Sequence, residues 1–156
     1  MITIRVYGIL INEQQQILVS DEYIRGIYIT KFCGGGLEEG EGTRDCLRRE
    51  FMEEMNLKIE VQQHLYTTDF YQPSAFKKGD QIMSIYYKVK PLEPITAPLR
   101  SLPFQFDERE MKMYDTTGET ETFRFVDLED FNEECMTLPI DKMMVKIIHQ
   151  IKTVSQ

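Results

Sequence analysis

The sequence predicts an α/β fold in a single domain that spans residues 1–156. Three observations support this prediction. The chain has the usual length of one domain, and 42% of its residues are hydrophobic, which is enough to bury a core. Segments typical of strands and of helices follow one another as strands, one helix, more strands and a last helix. No internal repeat, low-complexity tract or linker divides the chain.

The first part of the chain is rich in β-branched and aromatic residues. Strands are predicted at residues 2–11, 17–20 and 27–32. The polar residues 12–16 are predicted to form a hairpin turn between the first two strands, and residues 21–26 form a second turn. Three glycines at 34–36 are predicted to end the third strand and to begin a loop.

Residues 43–55 change to a helical pattern. The apolar stripe of this helix recurs at every fourth residue, at Leu47, Phe51 and Met55. Thr43 is predicted to be the N-cap, because its hydroxyl can accept from a backbone N–H of the first turn. Asn56 follows the helix at the position where a left-handed residue is expected.

The remaining chain continues with strands and ends in a helix. Further strands are predicted at residues 57–71, 81–89 and 119–126. The segments 72–80 and 91–110 contain prolines, and we expect a loop and a long connection there. Residues 127–131 could form a helical turn, and 139–153 form a C-terminal amphipathic helix.

The net charge of −8 argues against a nucleic-acid-binding protein. Proteins that bind duplex DNA or RNA normally carry a basic surface, because they neutralise phosphates with Lys and Arg. An acidic protein that acts on a phosphorylated molecule needs cations to reverse its local field. The composition therefore favours a small phosphorylated substrate that is bound with metal ions.

The sequence also predicts a cytoplasmic protein. Its three cysteines, Cys33, Cys46 and Cys135, are odd in number and have no C-x-x-C spacing, so neither a disulfide framework nor a zinc site is indicated. The N-terminus lacks the basic and apolar regions of a signal peptide. No segment approaches the roughly 20 apolar residues that are needed to cross a bilayer, so we expect no membrane partner.

Three carboxylates are predicted to lie on one face of the helix at 43–55. Glu50, Glu53 and Glu54 are spaced i, i+3 and i+4, which brings their side chains within one turn. Clustered anions repel one another, so helix stability does not explain them. Oxygen-rich sites suit hard divalent cations such as Mg²⁺ or Mn²⁺. The preceding glycines allow the backbone to approach a bound group closely.

These residues resemble the Nudix box, which has the form G-x5-E-x7-R-E-U-x-E-E-x-G-U, where U is apolar. The matching positions are Gly35, Glu41, Arg49, Glu50, Phe51, Glu53, Glu54 and Leu57. The one departure is Asn56, where the box has glycine, and asparagine tolerates the left-handed conformation. The resemblance implies a Nudix fold, a mixed β-sheet sandwiched between helices. It also implies hydrolysis of a diphosphate bond in a nucleoside diphosphate linked to another moiety.

The resemblance also assigns roles to the box residues. It implies that Glu50, Glu53 and Glu54 bind Mg²⁺ or Mn²⁺. Glu41 would be an auxiliary metal ligand or the partner of Arg49, and Arg49 would organise the loop and helix through ion pairs. Glu53 or Glu54 is the first choice for the general base, and an acidic residue from a later loop is the alternative. The backbone at residues 35–36, that is Gly35 and Gly36, would line the substrate site.

Candidates outside the box are less specific. Family members often have an acidic ligand before a later strand; Glu121 is the first choice here and Glu119 the second, and a solvent-exposed carboxylate is the competing interpretation of each. Three cations could contact phosphate or ribose, or could be surface charges: Arg5, Arg25 and Lys31. Four aromatic residues could stack on a base, or could belong to the core: Tyr28, Phe70, Tyr71 and Phe76.

The sequence leaves one alternative function open. A catalytically silent Nudix-fold module would bind or sense a nucleotide without turnover. A homodimer is also compatible with the many Met and aromatic residues, although nothing in the sequence locates an interface. The identity of the nucleotide is not determined, because specificity depends on loops outside the box.

Overall fold

The structure is a computed structural model that describes residues 1–154, with side chains for residues 1–151. Its strands are β1 (Ile2–Leu10), β2 (Gln16–Ile24), β3 (Ile27–Lys31), β4 (Cys33–Gly36), β5 (Ile59–Thr67), β6 (Gln81–Pro91), β7 (Leu99–Arg100) and β8 (Glu119–Asp127). Its helices are α1 (Thr43–Met55), α2 (Glu108–Thr117) and α3 (Pro139–Val154), and a 3-10 turn spans Glu133–Cys135. The α/β class predicted from the sequence is confirmed. Within the described residues, no helix is both long and apolar enough to cross a membrane.

The chain forms two compact units. The first unit combines Met1–Leu10 with Cys33–Thr96, and the second combines Ile11–Phe32 with the chain from Ala97 onward. Each unit contains a mixed four-stranded sheet, so the predicted strands are distributed over two sheets. The single domain over residues 1–156 stays a prediction.

The sheet of the first unit has the strand order β4-β1-β6-β5. Strand β1 runs parallel to β6 and antiparallel to β4, and its register places Val6 opposite Gly35. The apolar stripe of α1 is buried on this sheet, as predicted. Gly8 allows this close packing, since a Cβ there would lie 2.8 Å from the Phe51 ring.

The sheet of the second unit has the strand order β3-β2-β8-β7. Strand β2 pairs antiparallel with β3 and with β8, and β7 runs parallel to β8. Helix α2 packs against β8. The C-terminal helix α3 contributes Ile140, Met144 and Ile148 to the buried core. The helix is amphipathic as predicted, but its most buried row is Met144 and Ile148, whereas Met143 and Ile147 are half-buried.

Two predicted strand ends are wrong. Strand β2 does not stop at Ser20 but continues to Ile24, where the polar residues were interpreted as a turn. Asp21 is fully buried in this strand because Arg124 donates to it at 2.7 Å, so the polar side chain is satisfied. The glycines 34–36 form strand β4 instead of a loop. Only glycine fits at Gly34, because a Cβ would lie 2.0 Å from the Val6 carbonyl oxygen.

The structure also corrects the limits of the helices. Gly42, not Thr43, is the N-cap of α1. Asn56 is left-handed as predicted, with φ 51° and ψ 43°, and its N–H donates to the Met52 carbonyl. Helix α2 was not predicted, although Asp107 forms a capping box with Glu110.

Later elements agree more closely. Strand β5 ends at Thr67, four residues before the predicted limit. The predicted helical turn at 127–131 is present, since the Phe131 N–H donates to the Leu128 carbonyl three residues earlier. Helix α3 begins at Pro139, and strand β8 covers the predicted strand at 119–126.

Candidate active site

The carboxylate of Glu50 lies directly against the backbone of Gly35. A Cβ built at Gly35 would lie 2.4 Å from Glu50 Cδ and 2.5 and 2.6 Å from the two carboxylate oxygens. Strand β4 therefore accommodates this carboxylate only because position 35 is glycine. The contact connects the two ends of the predicted motif, the glycine strand and the acidic helix.

Arg49 joins the carboxylates of the motif. Its Nε and Nη2 donate to the two oxygens of Glu41 at 3.0 and 2.7 Å, which makes a bidentate ion pair. Its Nη1 donates to Glu50 at 3.1 Å and to Glu53 at 3.2 Å. Its Nη2 also donates to the Gly36 carbonyl at 3.1 Å, so one guanidinium holds the glycine strand, the loop and the helix.

These ion pairs shift the pKa values of Glu41 and Arg49. The hydrogen bonds from Arg49, together with one from the Glu38 backbone N–H, lower the pKa of Glu41 to about 2. The pKa of Arg49 is raised, first by Glu41 and then by Glu50. Burial raises the pKa of the neighbouring Cys46 thiol to about 12, so this thiol is a small buried group without nucleophilic character.

The donor set of this cluster fits a hard divalent cation by chemical type. Three glutamate side chains meet beside a strand of backbone carbonyls, and Glu50 fills the space left by the missing Cβ of Gly35. However, no three His, Cys, Asp or Glu side chains within the described part of the chain are arranged so as to hold a metal ion. The Arg49 guanidinium lies where Glu41, Glu50 and Glu53 converge. The metal site therefore stays a prediction.

The first unit brings most of the predicted site residues together. The cluster around the guanidinium contains Gly35, Gly36, Glu41, Arg49, Glu50 and Glu53. Glu54 follows Glu53 on α1 and is partly buried. Phe70 lies in the loop between β5 and β6, where its side chain is 39% exposed. The core interpretation is wrong for Phe70 and for the other three aromatic candidates, which are all exposed: Tyr28, Tyr71 and Phe76.

The second unit holds the acidic candidates of the later strand. Glu121 lies on β8 opposite Glu22 on β2, and it accepts a hydrogen bond from the Ser20 hydroxyl at 2.9 Å. Burial and the Glu22 carboxylate raise the pKa of Glu121 to about 7, although Lys31 opposes this shift. The interpretation of Lys31 as a surface charge is wrong, because Lys31 is 3% exposed and pairs with Glu22 at 2.9 Å.

The other two candidates of this unit are exposed. Glu119 lies at the start of β8. Arg25 is left-handed, with φ 47°, in the turn between β2 and β3, and its N–H donates to the Gly118 carbonyl. Sequence reasoning missed Glu22 as the neighbour of Glu121. The alternation of buried and exposed positions could have indicated it, had the strand been continued past Ser20.

A comparison with protein families identifies the chain at this point. A family model described as NUDIX domain matches residues 1–147, and the chain belongs to this family. The match confirms the predicted enzyme class, a Nudix hydrolase. No curated protein matches the chain.

Solved structures show the same fold. A NUDIX hydrolase from Nitrosomonas europaea has a TM-score of 0.69 and 15% identity, over 96% of this chain and 90% of that one. The E. coli ORF135 protein has a TM-score of 0.66 and 16% identity, over 98% and 92%. An ADP-ribose pyrophosphatase from Streptococcus suis has a TM-score of 0.62 and 15% identity, over 96% and 91%. At these identities the likeness concerns the fold alone.

Proposed function

We propose that the protein hydrolyses a diphosphate bond in a nucleoside diphosphate linked to another moiety, and that it requires Mg²⁺ or Mn²⁺. The observation that carries this proposal is the contact between Glu50 and Gly35 beside the Arg49 ion pairs. Strand β4, Arg49 and the glutamates of α1 lie together here. Their order and spacing along the sequence are those of the Nudix box. Such a cluster is suited to phosphate chemistry, because its carboxylates can hold the cations that neutralise phosphate oxygens.

The glutamates of the box differ in how firmly their neighbours fix them. Glu41 is mostly buried and bidentate to Arg49, so it holds the loop against the helix. Glu53 is 57% exposed and makes a single contact with Arg49, so it can turn towards a ligand at low cost. Glu50 accepts a hydrogen bond from Arg49 and lies beside Gly35, where there is no side chain. In this proposal Glu50, Glu53 and Glu54 hold the metal ion, and Glu41 supports it as an auxiliary ligand.

The reaction requires a base and stabilisation of charge on the phosphate oxygens. The bound cation would neutralise developing charge and make a water molecule more acidic. Glu53 or Glu54 would accept the proton, because both lie on the α1 face that carries the ligands. The backbone of Gly35 and Gly36 would lie along the diphosphate, where the absence of side chains permits close approach. Glu121, or Glu119, would supply a further acidic group from β8.

The substrate class is a small nucleotide derivative. Solved structures with this fold include a UDP-X diphosphatase, an ADP-ribose pyrophosphatase and MutT proteins, and each name describes that protein. We infer a related substrate for this chain, bound with help from Arg25 and Phe70. We also propose a single domain over residues 1–156, a cytoplasmic location and a homodimer. No disulfide joins the three cysteines within the described residues, which suits a reducing compartment.

A turnover assay tests the proposal. ADP-ribose, UDP-glucose, nucleoside triphosphates and dinucleoside polyphosphates are incubated with Mg²⁺ or Mn²⁺, and release of AMP, UMP, pyrophosphate or phosphate is measured. We expect turnover of at least one compound, which EDTA abolishes. Glu53→Gln and Glu54→Gln should each lower kcat by roughly 10²-fold or more.

Asp45→Asn is the matched control, because Asp45 lies on the same helix but pairs with the exposed Arg48. It should keep the wild-type kcat. Tight nucleotide binding without turnover of any compound would instead identify a silent binding module. Near-normal rates in both glutamine variants would contradict the ligand assignment.

A further inference from the structure

The guanidinium of Arg49 contacts different partners through its different nitrogens. Its Nε and Nη2 donate to the two oxygens of Glu41, and Nη2 also donates to the Gly36 carbonyl. Its Nη1 faces two carboxylates of α1, where Glu50 accepts at 3.1 Å and Glu53 at 3.2 Å. Nη1 carries two hydrogens, so these two carboxylates engage both of them.

The carboxylates around this guanidinium outnumber its charge. Besides the three glutamates that accept its hydrogen bonds, the Glu38 carboxylate lies 3.6 Å from Nη1. One guanidinium among these carboxylates leaves a local excess of negative charge, which a single positive charge neutralises only in part. A divalent cation at the place of Nη1 would neutralise more of this excess, and carboxylate oxygens are the ligands that Mg²⁺ prefers.

The partners of the guanidinium differ in how easily they can leave it. Glu41 is mostly buried and accepts through both oxygens, one of which also accepts from the Glu38 N–H at 2.9 Å. Glu53 is exposed and makes one hydrogen bond with Arg49, so its side chain can rotate at low cost. Glu50 accepts from Nη1 through one of its two oxygens. The hydrogen bonds of Nη1 can therefore be exchanged while the pair with Glu41 persists.

We infer that Nη1 of Arg49 is a built-in competitor of the metal ion. Glu50 and Glu53 converge on Nη1, so a cation that both of them hold must replace Nη1 as their partner. Binding of Mg²⁺ exchanges these hydrogen bonds for metal contacts, while the Glu41 pair keeps the guanidinium beside the helix. Arg49 thus stabilises the fold and lowers the metal affinity at the same time. This inference rests on the proposed function, because it concerns the metal ion of the same site.

Metal titrations of a charge-matched pair of variants test this inference. Mg²⁺ is titrated by calorimetry into the wild-type chain, Arg49→Met and Arg48→Met. Methionine is chosen because the amide oxygen of a glutamine could itself bind Mg²⁺. Arg49→Met should bind Mg²⁺ about tenfold more tightly than the wild type, a factor that corresponds to one hydrogen bond to a charged group.

Arg48→Met is the control for the loss of charge. It removes the same charge from the neighbouring residue of α1, whose ion pair with Asp45 is exposed. Its Mg²⁺ affinity should stay within about twofold of that of the wild type, because exposed charges are screened. Melting temperatures supply a second readout. Arg49→Met should melt below the wild type in EDTA, and Mg²⁺ should raise its melting temperature by more than that of the wild type.

A measurement on the wild-type chain keeps the inference testable if Arg49→Met does not fold. The ¹⁵N signals of the arginine side chains are recorded by NMR while Mg²⁺ is added. The Nη1 signal of Arg49 should shift as the metal site is saturated, because its acceptors change. The Nε signal should stay in place, because Glu41 still accepts from it.

Three results would overturn the inference. An Mg²⁺ affinity of Arg49→Met equal to or below that of the wild type would show that the guanidinium orients the ligands and does not compete. An equal gain in Arg48→Met would assign the effect to net charge. An unchanged Nη1 signal in a chain that binds Mg²⁺ would show that its hydrogen bonds persist.

Failure of the proposed function looks different. The expected affinities without turnover of any compound would reject hydrolysis and support the competition. Turnover with an unchanged Mg²⁺ affinity in Arg49→Met would reject the competition alone. No binding of Mg²⁺ or Mn²⁺ to any of the three chains would reject both.

Discussion

Both units of the molecule contain clustered carboxylates, but the two units shift the pKa of a carboxyl group in opposite directions. In the first unit Arg49 contacts Glu41 in a bidentate pair, and the pKa of Glu41 falls to about 2. In the second unit Glu121 lies opposite Glu22 beside the buried Lys31, and its pKa rises to about 7. The same carboxyl group thus differs by several pKa units, because hydrogen bonds dominate in one place and desolvation in the other.

This difference separates two kinds of carboxylate. Glu41 remains ionised under all ordinary conditions and serves as a permanent partner of the guanidinium. Glu121 takes up a proton near neutral pH, so its charge depends on what surrounds it.

The largest expected effect comes from filling the space beside Gly35. Gly35→Ala places a Cβ within 2.6 Å of all three atoms of the Glu50 carboxyl group, so this side chain must move. We expect kcat to fall about 10²-fold or more, because a displacement of about 1 Å in an active site has that consequence. Steady-state kinetics measure it.

Asp45→Asn is the control for this variant as well, because Asp45 lies on α1 but pairs with the exposed Arg48. Its kcat should stay close to that of the wild type. Equal rates in Gly35→Ala and Asp45→Asn would show that the Glu50 position is irrelevant to turnover.

The next effect concerns the buried cation of the second unit. Lys31→Met leaves Glu22 and Glu121 opposite each other without their cation. We expect the free energy of unfolding at pH 8 to fall by about 3 kcal/mol, since removing one partner of a buried ion pair leaves an uncompensated charge. Urea unfolding measures it. Glu22→Gln in the same chain should restore part of the loss, and no restoration would contradict the pairing.

The corresponding change in the first unit should be smaller. Arg49→Gln removes the donors to Glu41, Glu50 and Glu53, but the Arg49 side chain is 23% exposed, whereas that of Lys31 is 4% exposed. We expect a loss of about 1–3 kcal/mol in the free energy of unfolding, within the range for hydrogen bonds to charged groups. Arg48→Gln should cost less than about 0.5 kcal/mol, because its ion pair with Asp45 is exposed. Equal losses in the two variants would contradict the organising role of Arg49.

The smallest effects are pH-dependent, and they have opposite signs in the two units. The pKa of Glu41 is lowered from 4.5 to about 2, so its contribution to stability is complete above pH 4.5 and is lost as the pH falls towards 2. The pKa of Glu121 is raised from 4.5 to about 7, so stability falls as the pH rises from 4.5 to 7.

Melting temperatures of Glu41→Gln and Glu121→Gln, measured from pH 2 to pH 8, separate these contributions. Above pH 4.5, Glu41→Gln should melt at a lower temperature than the wild type, and this difference should disappear as the pH falls towards 2. The melting temperature of Glu121→Gln should rise relative to that of the wild type as the pH rises from 4.5 to 7. A constant difference across the whole range, for either variant, would contradict the corresponding pKa shift.

Local features of the fold were predictable from the sequence. The apolar stripe of α1 and the left-handed Asn56 depend only on residues within one or two helical turns. The extension of β2 was not predictable in this way. Asp21 looked like a turn residue, but it is buried because Arg124, which lies 103 positions away, pairs with it. Likewise, the glycines form β4 because β1 passes close to Gly34.

The sequence by itself determined the family, the helix with its three spaced glutamates and the class of reaction. These depend on spacing along one chain segment, which the geometry of a helix converts directly into position. Only the tertiary structure decided that Arg49 holds Glu41, that Glu50 lies against Gly35, and that Lys31 is buried beside Glu22. The physical reason is that strand register and long-range packing bring these groups together, and no local pattern records the register.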